Sequence, residues 1–153
     1  YFNEADIVKN PLSIQKHLGF LPQDFGVYPK VSAYNLLDHL AKLKGVHNKK
    51  QRHNQITNLL EKVNLTDSKN KEVHTFSGGM KQRFGVAQAL LGDPKIVIVD
   101  EPTAGLDPEE RNRFNNLLSN ISEDIIIILS TFSIFFTNGA ESSFSGPRKL
   151  FRG

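Results

Sequence analysis

The chain contains 153 residues, a length that suits one domain with its own core and is short for two. It has no cysteine, which excludes disulfides, thiolate metal sites and thiol nucleophiles, and 39% of its residues are hydrophobic against 23% charged, the balance of a globular chain. Of the net charge of +3, residues 132–153 carry +2, so the basic isoelectric point does not indicate a nucleic-acid-binding surface.

The first half of the chain predicts one strand followed by two helices. Leu18–Leu21 is a short apolar run that Pro22 closes, which favours a strand leading into a loop. Ser32 is the expected N-cap of a helix whose leucines recur at helical spacing until Gly45, and a second helix is expected over residues 50–63. Because both helices are short and amphipathic, we expect them to pack on each other.

The second half predicts a helix, a strand, a helix and a strand. The first helix is expected over residues 78–91, and residues 96–99 form a β-branched run typical of a strand buried on both faces of a parallel sheet. A helix over about residues 108–120 and a second buried strand at residues 125–129 complete a βαβ crossover. The fold class is therefore α/β. The longest aliphatic run, residues 125–129, is far shorter than the roughly 20 residues of a membrane span.

Two adjacent carboxylates, Asp100 and Glu101, follow the predicted strand at residues 96–99. A parallel strand delivers them to the carboxyl edge of its sheet, where ligands of open α/β sheets bind. Asp100 is then a candidate Mg²⁺ ligand, mostly through water, and Glu101 a candidate for polarising the water that attacks a γ-phosphate. Two solvated acids at a strand end are the alternative, and the pair alone does not decide between them.

A Ser-Gly-Gly sequence begins the helix predicted at residues 78–91. The Ser77 hydroxyl and the amides of Gly78 and Gly79 would form an anion site, because unpaired N–H groups and the helix dipole point at a phosphate there. Glycine leaves room for phosphate oxygens to approach. An ordinary capped helix is the alternative, but this one lies about twenty residues before a strand that ends in Asp-Glu, a combination that favours a nucleotide site.

Taken together, these motifs resemble those of the ATP-binding cassette (ABC) family, the nucleotide-binding subunits of ABC transporters, over about residues 7–131. Four motifs occur in the family's order and spacing: one similar to the Q-loop at residues 21–24, one similar to the signature at 76–83, one similar to Walker B with its glutamate at 96–101, and one similar to the D-loop at 102–108. Phe76 and Met80 stand where the family more often has Leu and Gln.

The resemblance implies a role for each residue that matches a motif. Nucleotide binding would fall to Ser77, Gly78, Gly79 and Met80, catalysis to Glu101 and Gln23, the metal to Asp100 and Gln23, and contact with the second subunit to Asp107. ATP and Mg²⁺ are the implied cofactors. The implied partners are a membrane-spanning transporter subunit and a second nucleotide-binding domain in a head-to-tail dimer, with no nucleic acid among them.

The same resemblance implies an architecture and a cellular place. Residues 1–131 would be a partial ABC-type ATPase domain, with an α-helical subdomain at about residues 30–92 and a βαβ core at 93–131. That core would be part of a parallel sheet like that of P-loop NTPases, and residues 132–153 would form an irregular tail unlike the family. The subunit would couple ATP hydrolysis to transport through a separate membrane subunit, from the cytoplasmic, inner face of the cell membrane.

The sequence departs from the family pattern in two places. It contains no Gly-x-x-x-x-Gly-Lys-Ser/Thr P-loop, and since it begins at Tyr1 we interpret it as a domain cut before that loop. Phe132 follows Thr131 where the family has a switch histidine. We therefore expect residues 1–153 alone to show no ATP turnover above that of a Glu101→Gln variant. A non-catalytic remnant of the domain and an ABC ATPase of non-transport type remain as alternatives.

Overall fold

The computed structural model describes residues 17–23, 30–100, 103, 105–121 and 125–130. In these ranges it contains three strands and four α-helices. In chain order they are β1 (Leu18–Leu21), α1 (Ala33–Leu43), α2 (Lys49–Lys62), α3 (Gly78–Leu90), β2 (Ile96–Asp100), α4 (Pro108–Ile121) and β3 (Ile126–Ser130). Two short 3₁₀ turns, Thr66–Ser68 and Val73–Thr75, lie between α2 and α3. The predicted element types are confirmed throughout this part of the chain.

The three strands form one parallel sheet in which β2 lies between β1 and β3. The register aligns Leu21 with Val99 and Asp100 with Ser130, so all three strands end near the same edge. Parallel pairing of β2 with β3 confirms the predicted βαβ unit and the α/β class. Pairing of β1 with β2 was not part of the prediction, because the two strands are separated in sequence by three helices.

Side-chain caps fix where α1 and α2 begin. The Ser32 hydroxyl accepts a hydrogen bond from the backbone N–H of Asn35 at 3.3 Å, which confirms Ser32 as the N-cap of α1. The Asn48 side chain caps α2 by accepting from the N–H of Gln51 at 3.0 Å, so this helix starts one residue before its predicted first position. Gly45 follows α1 with a φ of +88°, a left-handed conformation that favours glycine.

The hydrophobic core lies between the helices and one face of the sheet. Helices α1 and α2 pack on each other as predicted, and α3 contacts both of them as well as β1 and α4. Gly19 permits the close approach of α3 to β1, because a Cβ at that position would overlap the carbonyl oxygen of Ala89. The largest side chains without solvent exposure include Phe84 of α3 and Phe114 of α4.

The opposite face of the sheet is open to solvent in the described residues. Val97 and Val99 are buried, but Ile126 and Ile128 of β3 are 63% and 49% exposed, and Phe20 of β1 is 52% exposed. The prediction that both strands are buried on two faces is therefore wrong for these residues. The reason is that, among the described residues, the core packs on the face that carries Val97 and Val99, whereas Ile126 and Ile128 lie on the other face of the edge strand β3. Among the described helices, none combines the length and the apolar character that crossing a bilayer requires.

Candidate functional site

The carboxyl edge of the sheet carries two of the predicted site residues. Asp100 is the last residue of β2 and is half-buried, and Gln23 lies two residues beyond the end of β1 and is exposed. Because β1 and β2 are parallel neighbours, both residues emerge at the same edge of the sheet. Glu101 lies outside the described residues.

The start of α3 carries the other group of predicted residues. Ser77 is the N-cap, and its Oγ accepts a hydrogen bond from the backbone N–H of Met80 at 3.2 Å. The Met80 side chain is half-buried and packs against the core. Gly78 is exposed, and a Cβ built on it would meet no atom within 4 Å. The first turn of the helix is therefore capped and still open to a ligand at Gly78.

Gly79 differs from its neighbour because it is buried against α4. A Cβ on Gly79 would overlap the carboxylate of Glu110. Glu110 Oε2 lies 3.6 Å from Arg83 Nη1 in α3, and Glu110 Oε1 accepts a hydrogen bond from Arg113 Nη1 at 3.0 Å. The start of α3 and the first turn of α4 are thus joined by a side-chain contact that the sequence analysis did not anticipate.

Asp107 caps the helix that supplies Glu110. Its Oδ1 accepts a hydrogen bond from the backbone N–H of Glu110 at 2.9 Å, and the residue is otherwise exposed. The turn before it includes Gly105 at a φ of +75°. The Asp-x-x-Glu spacing of Asp107 and Glu110 is a capping-box pattern, and it is the sequence signal that could have singled out Glu110.

The two groups of residues remain separate in this structure. Among the described residues, no hydrogen bond or ion pair joins the Ser77–Met80 turn to Asp100 or Gln23. No cluster of three or more His, Cys, Asp or Glu side chains with metal-binding geometry occurs in that part of the chain. A single carboxylate and an amide at the same sheet edge are compatible with Mg²⁺, which keeps several waters and takes its remaining ligands from phosphates.

A depression of about 680 Å³ between α1 and α2 lies apart from these residues. Its lining includes Asp38, which forms ion pairs with both Lys42 and Arg52, and Tyr34, whose hydroxyl lies 2.7 Å from His53 Nδ1. These side chains already satisfy one another, so we interpret the depression as part of the α1–α2 contact rather than as a ligand site.

Comparison with known proteins decides which family these motifs belong to. The sequence model of the family described as "ABC transporter" matches residues 2–104. The chain belongs to the ABC transporter family. Among its curated relatives are ABC transporter A family member 8 of Dictyostelium discoideum, 42% identical over 125 residues, and the linearmycin resistance ATP-binding protein LnrL of Bacillus subtilis, 32% identical over 126 residues. Each alignment covers 82% of this chain.

The chain spans only part of these relatives, 15% of the Dictyostelium protein and 40% of LnrL. Solved ABC structures share its fold. cbiO1 from Clostridium perfringens, described as part of the ABC transporter complex cbiONQ, superimposes with a TM-score of 0.69 at 27% identity, over 80% of this chain and 50% of that one. A putative metal-chelate type ABC transporter in an inward-facing conformation gives a TM-score of 0.65 at 24% identity, over 74% of this chain and 48% of that one, a likeness of fold.

Proposed function

We propose that this chain is part of an ATP-binding, ATP-hydrolysing subunit of an ABC transporter. The observation that carries the proposal is the start of α3, where a capped helix presents a solvent-open glycine at the position where a helix binds anions. Membership of the family supports nucleotide as the anion.

Ser77, Gly78, Gly79 and Met80 would contribute to binding the nucleotide phosphates. The Ser77 oxygen already accepts from the Met80 N–H, but a hydroxyl also carries one proton that it can donate to a phosphate oxygen. Gly78 leaves the space that such an oxygen needs. The helix dipole adds a favourable field for negative charge at this end.

Asp100 and Gln23 would hold Mg²⁺ at the sheet edge, where the ion neutralises phosphate charge when it is bound. Half-burial of Asp100 and the exposure of Gln23 are compatible with an outer, water-rich coordination. Glu101 follows Asp100 directly and would act as the base that orients the attacking water.

Asp107 would contact a second nucleotide-binding domain in a head-to-tail dimer. The residue is exposed, and its side chain is bonded through Oδ1 alone among the described residues. Separation of the α3 turn from Asp100 supports this arrangement, because a nucleotide bound between two copies would take the turn from one and the carboxylate from the other. A membrane-spanning subunit would be the further partner, as the complex described for cbiO1 suggests, and would hold this chain at the inner face of the membrane.

Binding of Mg·ATP to the full chain tests the role of the α3 turn. A Cβ at position 78 meets no atom within 4 Å and glutamate suits a helix N-terminus, so Gly78→Glu should fold normally while repelling phosphate. We expect equilibrium dialysis to show binding at least about tenfold weaker than for the unchanged chain, since a charge-assisted contact is replaced by repulsion. Asn70→Glu adds the same charge at an exposed site away from the helix start and is the matched control. Equal affinities for the two variants, or no saturable binding by the unchanged chain, would contradict the assignment.

A further inference from the structure

We propose that Glu110 is a positioning residue that fixes the signature-like turn of α3 to the capped start of α4. The function of that turn rests on the proposed nucleotide site, whereas the contact itself rests on geometry alone. Glu110 touches α3 through Gly79 and Arg83, and its own backbone N–H is bound by Asp107. One side chain therefore connects the two segments expected at the dimer face.

The path of the Glu110 side chain is unusual for its position. In a capping box the glutamate at the third helical position returns to the N–H of the capping residue. Asp107 and Glu110 have that spacing, and Asp107 performs its half of the pattern. The Glu110 carboxylate instead crosses to α3 and lies against the backbone at Gly79. The Glu110 carboxylate thus makes its contact between α3 and α4 and does not cap α4 itself.

Charge makes this contact difficult to replace. Glu110 and Arg83 have side chains only 25% and 18% exposed, so both are largely removed from solvent. Arg83 Nε is buried and has no hydrogen-bond partner among the described residues. Without the Glu110 carboxylate, the guanidinium of Arg83 would lose its counter-charge while remaining partly buried, which is unfavourable.

Gly79 makes room for the same contact because it has no side chain. The carboxylate occupies the space where any larger residue would place its Cβ. A glycine at this position therefore has a packing reason that does not involve nucleotide, in contrast to Gly78, whose surroundings are open. The consequence is that the α3 turn and the Asp107 cap should shift together.

The adjacent Glu109 provides a matched control for the experiment. Both glutamates pair with Arg113, but Glu109 is 75% exposed and has no described contact with α3. Glu110→Gln and Glu109→Gln therefore remove the same charge from the same helical turn, and each removes one partner of Arg113. Only the first removes the link to Arg83.

Amide hydrogen exchange of the full 153-residue chain, without nucleotide, gives the readout. We expect Glu110→Gln to accelerate exchange at residues 77–83 by at least about fivefold, as loss of a partly buried ion pair predicts, and Glu109→Gln to leave it within about twofold. Helix α2 serves as an internal reference, because a purely global loss of stability would accelerate its exchange to the same extent. Arg83→Gln should reproduce the effect of Glu110→Gln, and the double variant should add little.

Unchanged exchange at residues 77–83 in Glu110→Gln, the same acceleration in Glu109→Gln, or equal acceleration in α2 would each overturn the proposal. If Glu110→Gln fails to fold, the comparison of Arg83→Gln with Glu109→Gln decides by the same criteria. Failure of the nucleotide site would appear separately, in the dialysis with Gly78→Glu, because the exchange measurement uses no nucleotide.

Discussion

Consecutive glycines at the start of α3 have different surroundings. Gly78 faces open space, whereas the position of a Cβ on Gly79 is occupied by the Glu110 carboxylate. The sequence alone treats the two as equivalent parts of an anion site, since both lie in the first turn of the predicted helix. The two glycines differ because only Gly79 contacts Glu110. That residue lies 31 positions away, so the local sequence pattern cannot reveal the contact.

Substitution of each glycine by alanine should therefore have opposite effects on stability. Gly79→Ala would force the Glu110 carboxylate away from Arg83, and we expect a loss of up to about 1 kcal/mol, since loss of this partly buried ion pair outweighs the helix-propensity gain. Gly78→Ala should be neutral or stabilising by up to about 1 kcal/mol, because alanine is the better helix former and no atom obstructs it. Urea unfolding measures both, and equal effects would contradict the packing distinction.

At the scale of elements, one arginine fixes the corner between α1 and α2. Arg52 is only 6% exposed, and its Nη1 donates to the carbonyl oxygens of Val46 and His47 at 3.1 and 2.9 Å. Its Nε donates to Asp38 in α1. The guanidinium thus bonds α1 and the connecting loop from a position in α2, so this buried charge is held by several partners.

Removal of the Asp38 charge should destabilise this corner. Asp38→Asn leaves Arg52 buried with carbonyl partners but without its carboxylate, and we expect a loss on the order of 2 kcal/mol at neutral pH. Glu61→Gln in α2 is the control, because Glu61 is exposed and lies in no described ion pair. A difference of less than about 0.5 kcal/mol between the two variants would show that the carboxylate is not needed.

The ion pair between Asp38 and Arg52 also predicts that the stability of the chain depends on pH. Hydrogen bonds from Lys42 and Arg52 hold the pKa of Asp38 below its ordinary value of 3.8. The unfolded chain then binds a proton more readily than the folded one, so this contribution is present above about pH 4 and is lost as the pH falls through the folded pKa. The stability difference between the unchanged chain and Asp38→Asn should therefore shrink in thermal unfolding as the pH falls below about 4. A difference that stays constant would exclude Asp38 titration as its cause.

At the scale of the whole molecule, the sheet has one packed face and, within the part of the chain that the structure describes, one face open to solvent. On the open face lie Phe20, Ile126 and Ile128, each about half exposed or more. Contiguous apolar surface of this kind promotes association between chains. Its extent follows from the parallel register, which places side chains from all three strands side by side.

A charge on the open face should be tolerated, whereas one on the packed face should not. We expect Ile126→Lys to change the unfolding free energy by no more than about 0.5 kcal/mol and to raise solubility, because the side chain is already in water. Val97→Lys, in the neighbouring strand, should prevent folding, because Val97 is 4% exposed within the core. Circular dichroism melting and a precipitation assay compare the two. Strong destabilisation by Ile126→Lys would mean that this face is covered in solution.

Local sequence patterns predicted most of the helices and strands but not which of their faces are buried or how the helices contact one another. Ser32 and Ser77 marked helix starts correctly, because a capping side chain bonds to an N–H three residues away. Asn48 was missed as a cap because Lys49 and Lys50 carry no apolar signal to mark a start. Burial of the strand at residues 126–130 was overestimated, since an aliphatic run specifies a strand but not what lies above it. The contact of Glu110 with α3 depends on how two helices pack, and no sequence pattern near Glu110 indicates it.

The order of the strands also has a consequence for synthesis of the chain. β1 pairs only with β2 among the described strands, and about 75 residues separate the two in sequence. At translation rates of about 5–20 residues per second, β1 waits roughly 4 to 15 s for its hydrogen-bonding partner to be made. Helices α1 and α2 contact each other across a short connection, so this contact can form during that interval, before α3 packs on both. The helical half should therefore be the first part of this protein to acquire structure on the ribosome, and the sheet the last.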